Sequence, residues 1–259
     1  MPTYTSHPAG TLTWLDLSSP DLNADLSFYE QVFGWNISEG VPEYGGYRMA
    51  FLNGQRVAGL APQMPGTEGG AGAWTLYFAS DDAQADVQRI RELGGTVCVE
   101  PMQIGDQGQM AVAADPTGAV FGLWQEGTHT GMELMGEHGS LSWAQANTRD
   151  LAGASQFYAE LLGATSQPTP GIPYHTLHHG EDWTAGVMEM DDENFPAGQP
   201  PHWVAYFAVD NADAAAQAAV ANGGQVVSPP HDTPYGRIVV LQDPGGAVFN
   251  AIEGQQLGA

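Results

Sequence analysis

The sequence predicts an α+β fold of four βαβββ units arranged as two tandem modules, and three observations predict it. The first is an internal repeat. Trp14-Leu-Asp-Leu and Trp143-Ala-Gln-Ala stand 129 positions apart, as do Phe28-Tyr29 and Phe157-Tyr158, Gly34 and Gly163, Trp74 and Trp203, and Gly94-Gly95 and Gly223-Gly224. A one-residue slip separates Asp115-Pro-Thr-Gly from Asp243-Pro-Gly-Gly, after which Ala119-Val-Phe answers Ala247-Val-Phe. So many matches in one order mark a tandem duplication. The second observation is the grammar inside each copy, a strand pattern and a helical pattern followed by several strand patterns, occurring twice. The third is punctuation: glycine and proline fall at the same joints in both copies, and 259 residues suit two domains.

The elements follow in order. Residues 11–18 alternate β-branched and apolar side chains and close on Ser-Ser-Pro-Asp, which is a strand. A serine before Pro20 places the helix start there, because proline at the first helical position gives up only an N–H that lacks an intrahelical partner. Leu22, Leu26, Tyr29, Val32 and Phe33 follow at helical spacing, and Gly34 stops the helix. Strand-like runs come next near 35–38, 47–53 and 56–61, with Gly-Gly and Asn-Gly turns between them. A Pro/Gly-rich stretch, 62–72, bridges to a second unit with a strand at 73–79, a helix at 82–93 ended by Gly94-Gly95, and short strands including 108–114 and 119–125. Asp115-Pro-Thr-Gly between the last two has the residues a type I turn prefers. The second copy repeats this plan. The modules span 8–126 and 140–254, and the Gly-, His- and Glu-rich stretch 127–139 reads as their linker.

Composition excludes several chemistries. Asp and Glu total 30 against 6 basic residues, a net charge of −24; all six are arginine, and lysine is absent. Schiff-base lysines, pyridoxal-phosphate chemistry and a phosphate-loop lysine are therefore excluded. Phosphate backbones and anionic membranes are repelled by such a surface, so neither nucleic acid nor membrane is an expected partner. Cys98 is the sole cysteine, which excludes an intrachain disulfide, a CxxC pair and a cysteine zinc site. Its apolar setting, Thr-Val-Cys-Val, predicts a buried, inert thiol. No stretch approaches 18 continuous apolar residues and the first residues lack a signal-peptide pattern, so the expected location is cytoplasmic.

The strand ending in Ser19-Pro20-Asp21-Leu22, the Phe28-Tyr29…Gly34 helix, the Gly94-Gly95 helix end and the Asp115-Pro-x-Gly turn, all repeated, resemble the vicinal oxygen chelate superfamily. That superfamily includes glyoxalase I, extradiol dioxygenases and bleomycin- and fosfomycin-resistance proteins. The tandem arrangement is most similar to a two-module glyoxalase-like or hydroxylase-like group that includes accessory proteins of anthracycline pathways. The resemblance covers residues 10–126 and 140–254. It implies that paired βαβββ units curl into half-barrels and carry the site on the concave face.

Metal-dependent members place ligands at four positions there. The resemblance puts the first on Trp14 and Trp143, the second on Gly59 and Gly186, the third on Trp74 and Trp203, and the fourth on Gly122 and Asn250. His202 sits beside Trp203, but the repeat register matches it to Ala73 and makes it outward-facing. Neither half supplies a His/Glu set, so no metal and no cofactor are expected. Two readings of the tryptophans stand side by side: plain core, or walls of a flat apolar slot whose indole N–H groups orient a ligand. Alternation adds Asp16 beside Trp14, Gln145 beside Trp143, and Trp124 beside Gly122. Arg48 and His175 occupy roughly matching places, Arg48 as a partner for a ligand carboxylate or carbonyl and His175 as a general base. The cluster His175-Thr-Leu-His178-His179 has no recognised metal spacing, and Asp191-Asp192-Glu193 reads as a solvated loop.

The expected function is metal-free binding of a flat, partly aromatic small molecule in a Trp-lined cleft, in a drug-sequestering or biosynthetic accessory role. The alternative is a glyoxalase-like lyase or an oxygenase or hydroxylase working through a non-standard metal site or acid/base residues. The partner is a small-molecule ligand, and the chain works as a monomer or homodimer.

Overall fold

The computed structural model describes residues 4–64 and 69–254; part of the bridging stretch 62–72 thus lies outside the described residues. The first module contains β1 (Leu12–Ser19), α1 (Leu22–Phe33), β2 (Asn36–Ile37), β3 (Arg48–Leu52), β4 (Gln55–Pro62), β5 (Ala73–Ala79), α2 (Ala83–Glu92), β6 (Thr96–Ile104), β7 (Gly108–Ala114) and β8 (Val120–Glu126). The second repeats it as β9 (Leu141–Thr148), α3 (Leu151–Leu162), β10 (Thr165–Pro168), β11 (Tyr174–His179), β12 (Asp182–Glu189), β13 (His202–Ala208), α4 (Ala212–Ala221), β14 (Gln225–Thr233), β15 (Gly236–Gln242) and β16 (Val248–Glu253).

Each module is one eight-stranded sheet, ordered β2-β3-β4-β1-β5-β8-β7-β6 and β10-β11-β12-β9-β13-β16-β15-β14. The first strands of the two units, β1 with β5 and β9 with β13, pair antiparallel at the centre. The last strands flank them in parallel. The α+β architecture of tandem βαβββ units is therefore present in full.

Local chemistry explains the boundaries. Helix α1 begins after Asp21, whose side chain accepts from the Ala24 N–H, and not at the Ser-Pro step. A carboxylate at the N-cap satisfies an orphan donor and complements the positive helix end, which a serine ahead of proline does not do here. Asp150 caps α3 in the same way through the Gly153 N–H. Gly34 and Gly163 close these helices at φ 71° and 66°, a left-handed turn that disfavours any side chain.

The two sheets share one core. Phe33, Trp35 and Trp74 of the first module pack with Phe207 of the second, and Phe78 packs with Trp203. Two hydrogen bonds cross the seam reciprocally. Tyr29 donates to Asp243 Oδ2 at 2.9 Å and Tyr158 donates to Asp115 Oδ2 at 2.8 Å, so each helix tyrosine finds the Asp-Pro-x-Gly turn of the other module. Desolvation, with Asp25 nearby, raises Asp243 to about 7. Cys98 is exposed, contrary to the expectation of a buried thiol: β6 turns Val97 and Val99 inward and Thr96, Cys98 and Glu100 outward. Among the described residues no helix is long and apolar enough to cross a membrane.

Candidate functional site

Strand alternation decides which side chains meet. On β1, Leu15 and Leu17 face the helices, while Trp14 and Asp16 face away from them; their cross-strand neighbours on β5 are Tyr77 and Thr75. Trp74 pairs with Leu17, so it lies on the helix side. The same holds for Trp203 on β13, whereas His202, Val204 and Tyr206 pair with Asn147, Gln145 and Trp143 on the outer face. The repeat register is right, but the face assigned to β5 and β13 is one residue out of phase. Trp74 and Trp203 donate their indole N–H groups to Tyr29 and Tyr158 at 3.0 and 2.8 Å inside the seam, and both also line the cleft described below. His202 is not outward. It joins the site.

Tyrosines occupy the outer face of the first module. The Tyr47 hydroxyl lies where a Cβ on Gly59 would stand, 1.8 Å from it, and the Tyr77 ring covers Gly122 in the same way. Both hydroxyls donate to Asp16, Tyr47 to Oδ2 at 3.3 Å and Tyr77 to Oδ1 at 3.4 Å, and Trp14 Nε1 donates to Tyr47 at 2.8 Å. Asp16 keeps partial surface exposure, yet its neighbours strip water from the carboxyl, and this desolvation outweighs the two phenols and raises it to about 7. The interdomain stretch 127–139 packs onto this face. His129 is buried between Trp14 and Trp124, with ring centroids 4.4 and 5.3 Å away, and Trp124 Nε1 donates to the His129 carbonyl. Arg56 bridges Glu133 and His129 Nδ1 at 2.8 and 3.0 Å. Burial, reinforced by Arg56, lowers His129 to about 4, so its imidazole is neutral.

The second module opens instead into a cleft of about 1420 Å³, whose lining also takes in Ala73, Trp74, Gly118 and Val120 of the first module. Trp143, Trp183, Tyr206 and Tyr235 supply aromatic walls, and Met188, Val204 and Ile238 supply aliphatic surface. The floor repeats the first module with changed chemistry. Tyr174 lies over Gly186, its hydroxyl 1.7 Å from where a Cβ would stand, and accepts from Trp143 Nε1 at 2.8 Å. Gln145 replaces Asp16. Its Oε1 accepts from Tyr206 at 3.1 Å, and its Nε2 donates to Asn147 Oδ1 at 2.7 Å. Asn147 Nδ2 lies 3.0 Å from His202 Nε2, and His202 Nδ1 lies 2.9 Å from the Pro200 carbonyl. A carbonyl only accepts, so Nδ1 carries the proton and Nε2 accepts from Asn147. Burial pushes Tyr206 up to about 12, so it stays a neutral phenol. Asn250 also lines this cleft.

Of the residues expected at the site, Trp74, Trp143, Gln145, Trp203 and Asn250 thus line one cleft, with Gly186 beneath Tyr174 at its floor, and Trp14, Asp16, Gly59, Gly122 and Trp124 gather around the matching face of the first module. Arg48 and His175 belong to neither. Arg48 pairs with Leu60 on the helix side and donates to the Ser38 carbonyl, and His175 faces Val187 with Nδ1 against Ser166 Oγ. Their strand neighbours Tyr47 and Tyr174 point the other way, as alternation requires. Tyr174 and Tyr206, which line the cleft, are the functional candidates that the sequence reading missed, and Tyr47 and Tyr77 are their counterparts outside it in the first module. Counting alternate positions from Trp14 across the antiparallel pair would have reached Tyr77 and Tyr206.

The metal implied by the resemblance does not fit these residues. Indoles, glycines, phenols, carboxamides and a single histidine, His202, whose Nε2 is held by Asn147, stand where ligands are needed, and among the described residues no group of three or more His, Cys, Asp or Glu side chains converges.

Comparison with known proteins bears on this geometry. The model of the Glyoxalase/Bleomycin resistance protein/Dioxygenase superfamily matches twice, at residues 11–123 and 140–250. CFP32 of Mycobacterium tuberculosis, provisionally named a glyoxylase, is 41% identical over 260 residues, spanning 98% of each chain. The anthracycline biosynthesis protein DnrV of Streptomyces peucetius is 38% identical over 259 residues, spanning 94% of this chain and 93% of DnrV. Among solved structures, a Mn(II)-bound glyoxalase from Novosphingobium aromaticivorans superimposes with a TM-score of 0.67 at 14% identity, covering 95% of this chain and 83% of that one.

Proposed function

The chain belongs to the Glyoxalase/Bleomycin resistance protein/Dioxygenase superfamily, and we propose that it binds a flat, partly aromatic small molecule in the cleft of its second module, without a metal, as a sequestering or biosynthetic accessory protein of the cytoplasm. The observation that carries this reading is the cleft itself: about 1420 Å³ between aromatic walls, with tyrosines and a carboxamide where a metal shell would stand. Concave, mostly apolar sites with a few oriented polar groups are what planar ligands need. The similarity to a protein named for anthracycline biosynthesis supports a polycyclic aromatic ligand.

Titration of intrinsic tryptophan fluorescence with anthracyclines and other planar natural products is expected to show saturable quenching, because Trp143 and Trp183 wall the cleft with ring centroids 6.2 Å apart. Linear, non-saturable quenching by every compound would sink the proposal. Gly186→Ala is expected to weaken binding more than tenfold, since a Cβ 1.7 Å from the Tyr174 hydroxyl drives that ring off the floor. Gly59→Ala displaces Tyr47 in the other module and is expected to leave binding within twofold.

One observation favours a second reading, acid/base catalysis at Asp16: its carboxyl is poised near neutrality between two phenols. A methylglyoxal–thiol adduct turned over by wild-type protein but not by Asp16→Asn, with and without chelator, would establish it. Absence of turnover in the wild type removes it.

A further inference from the structure

The two modules differ in where one phenolic proton goes. In the first, Tyr47 accepts from Trp14 and donates its own O–H to Asp16. In the second, Tyr174 accepts from Trp143 in the same geometry, but the residue in Asp16's place is Gln145. The Gln145 oxygen already receives the Tyr206 hydroxyl, and its nitrogen is turned to Asn147. The relay is fixed at its far end by the Pro200 carbonyl, which orders His202, Asn147, Gln145 and Tyr206 in one direction. Tyr174 therefore keeps an O–H with no acceptor among the described residues, at the floor of an aromatic-walled cleft.

We infer that Tyr174 is a specificity-determining hydrogen-bond donor, and that the cleft selects planar aromatic ketones and quinones by their carbonyl oxygen. This rests on the binding function proposed above. A site that provides a donor and no acceptor for it favours a ligand that completes the bond, because a buried polar group left unpaired is costly. The charge pattern narrows the acceptor. No Arg, Asp or Glu lines the cleft, its two histidines are His202 and His231, and the chain carries −24 overall, so carboxylates and phosphates meet no permanent cation there and are repelled at long range. Neutral acceptors remain, and on a planar aromatic skeleton a ketone or quinone carbonyl accepts more strongly than an aryl ether or phenol oxygen. Burial raises the Tyr174 phenol further above its ordinary range, which keeps it a donor at any working pH.

The test uses 9-fluorenone and fluorene, planar molecules of one shape that differ by a carbonyl oxygen. Dissociation constants are measured for both on the wild type, Tyr174→Phe and the first-module control Tyr47→Phe. Tyr174→Phe is expected to weaken fluorenone about five- to tenfold, on the order of one neutral hydrogen bond, and to leave fluorene within twofold. Tyr47→Phe leaves both unchanged. The infrared carbonyl band of bound fluorenone is expected at lower frequency on the wild type than on Tyr174→Phe, which separates a lost hydrogen bond from a reshaped pocket. Equal weakening of both compounds, or a carbonyl band that does not respond to Tyr174→Phe, overturns the inference while the cleft remains a binding site. Failure of both compounds to bind the wild type overturns the cleft reading and this inference with it.

Discussion

Asp115→Ala is expected to lower stability by about 3–5 kcal/mol, moving the melting temperature down on the order of 10 °C for a chain of this size. Asp115 Oδ1 accepts from Thr117 N and Oγ1, Gly118 N and Ala119 N at 2.7–3.1 Å, holding the turn between β7 and β8. Its other oxygen accepts the Tyr158 hydroxyl across the seam. Alanine leaves that phenol fully buried beside Phe121 and Trp203 with its proton unpaired, and each such orphan costs about 1–3 kcal/mol. Asp115→Asn is expected to recover only the share of the loss that belongs to the turn, since its oxygen still serves the turn while its amide meets the Tyr158 O–H donor to donor and leaves that proton unpaired. Equilibrium denaturation of the three proteins decides it. A loss under 1 kcal/mol for the alanine variant would show that the turn and the seam do not depend on this carboxylate.

The second large effect depends on pH. Asp16 is raised from 3.8 to about 7 in the folded chain, so between those values the folded state holds a proton that the unfolded state has released. Its stabilising contribution is therefore complete below pH 3.8, declines as pH rises, and is lost once pH passes 7. At about 1.4 kcal/mol per pH unit the upper bound is near 4 kcal/mol, and partial exposure brings the expectation to about 2–3 kcal/mol. Asp16→Asn carries no charge to bury, and one of its two phenol neighbours accepts from the new amide. The variant is expected to equal the wild type near pH 4 and to exceed it by about 2–3 kcal/mol at pH 8. A difference between the two proteins that stays constant from pH 4 to 8 would mean that Asp16 does not titrate in this range. His129 acts with opposite sign: lowered to about 4, it withdraws stability as pH falls from 6.5.

The repeat and its element order were legible because they rest on local signals. Helical spacing in Leu22 to Phe33, glycines at the helix ends and the Asp-Pro-x-Gly turns each act within a few residues. The site was legible only in part. Trp143, Gln145 and Asn250 were reached by counting along strands and line one cleft, with Gly186 beneath the Tyr174 ring at its floor. Trp74 and Trp203 line the cleft but turn their indoles to the helix side, and that orientation was hidden for a physical reason. The central strand Ala73–Ala79 is apolar or aromatic on both faces, so its hydrophobicity does not say which face meets the helices. Arg48 and His175 stand one residue from Tyr47 and Tyr174, and alternation turns them to the helix side while those tyrosines turn the other way. Cys98 is different: the alternation Thr96-Val97-Cys98-Val99-Glu100 marks it as outward, and the apolar run hid that signal.

The reciprocal bonds from Tyr29 to Asp243 and from Tyr158 to Asp115 are one contact made twice with the partners exchanged. That is the signature of a dyad axis, and a lone ancestral half would have satisfied its tyrosine only by pairing with an identical copy. In such a homodimer every substitution appears at both concave faces at once, so a change that improves one is forced on the other. Covalent fusion abolishes that constraint. One half is free to seat a carboxyl beneath its tyrosines while the other exchanges it for an amide and opens, and a molecule of two unlike chambers descends from one of two equal ones.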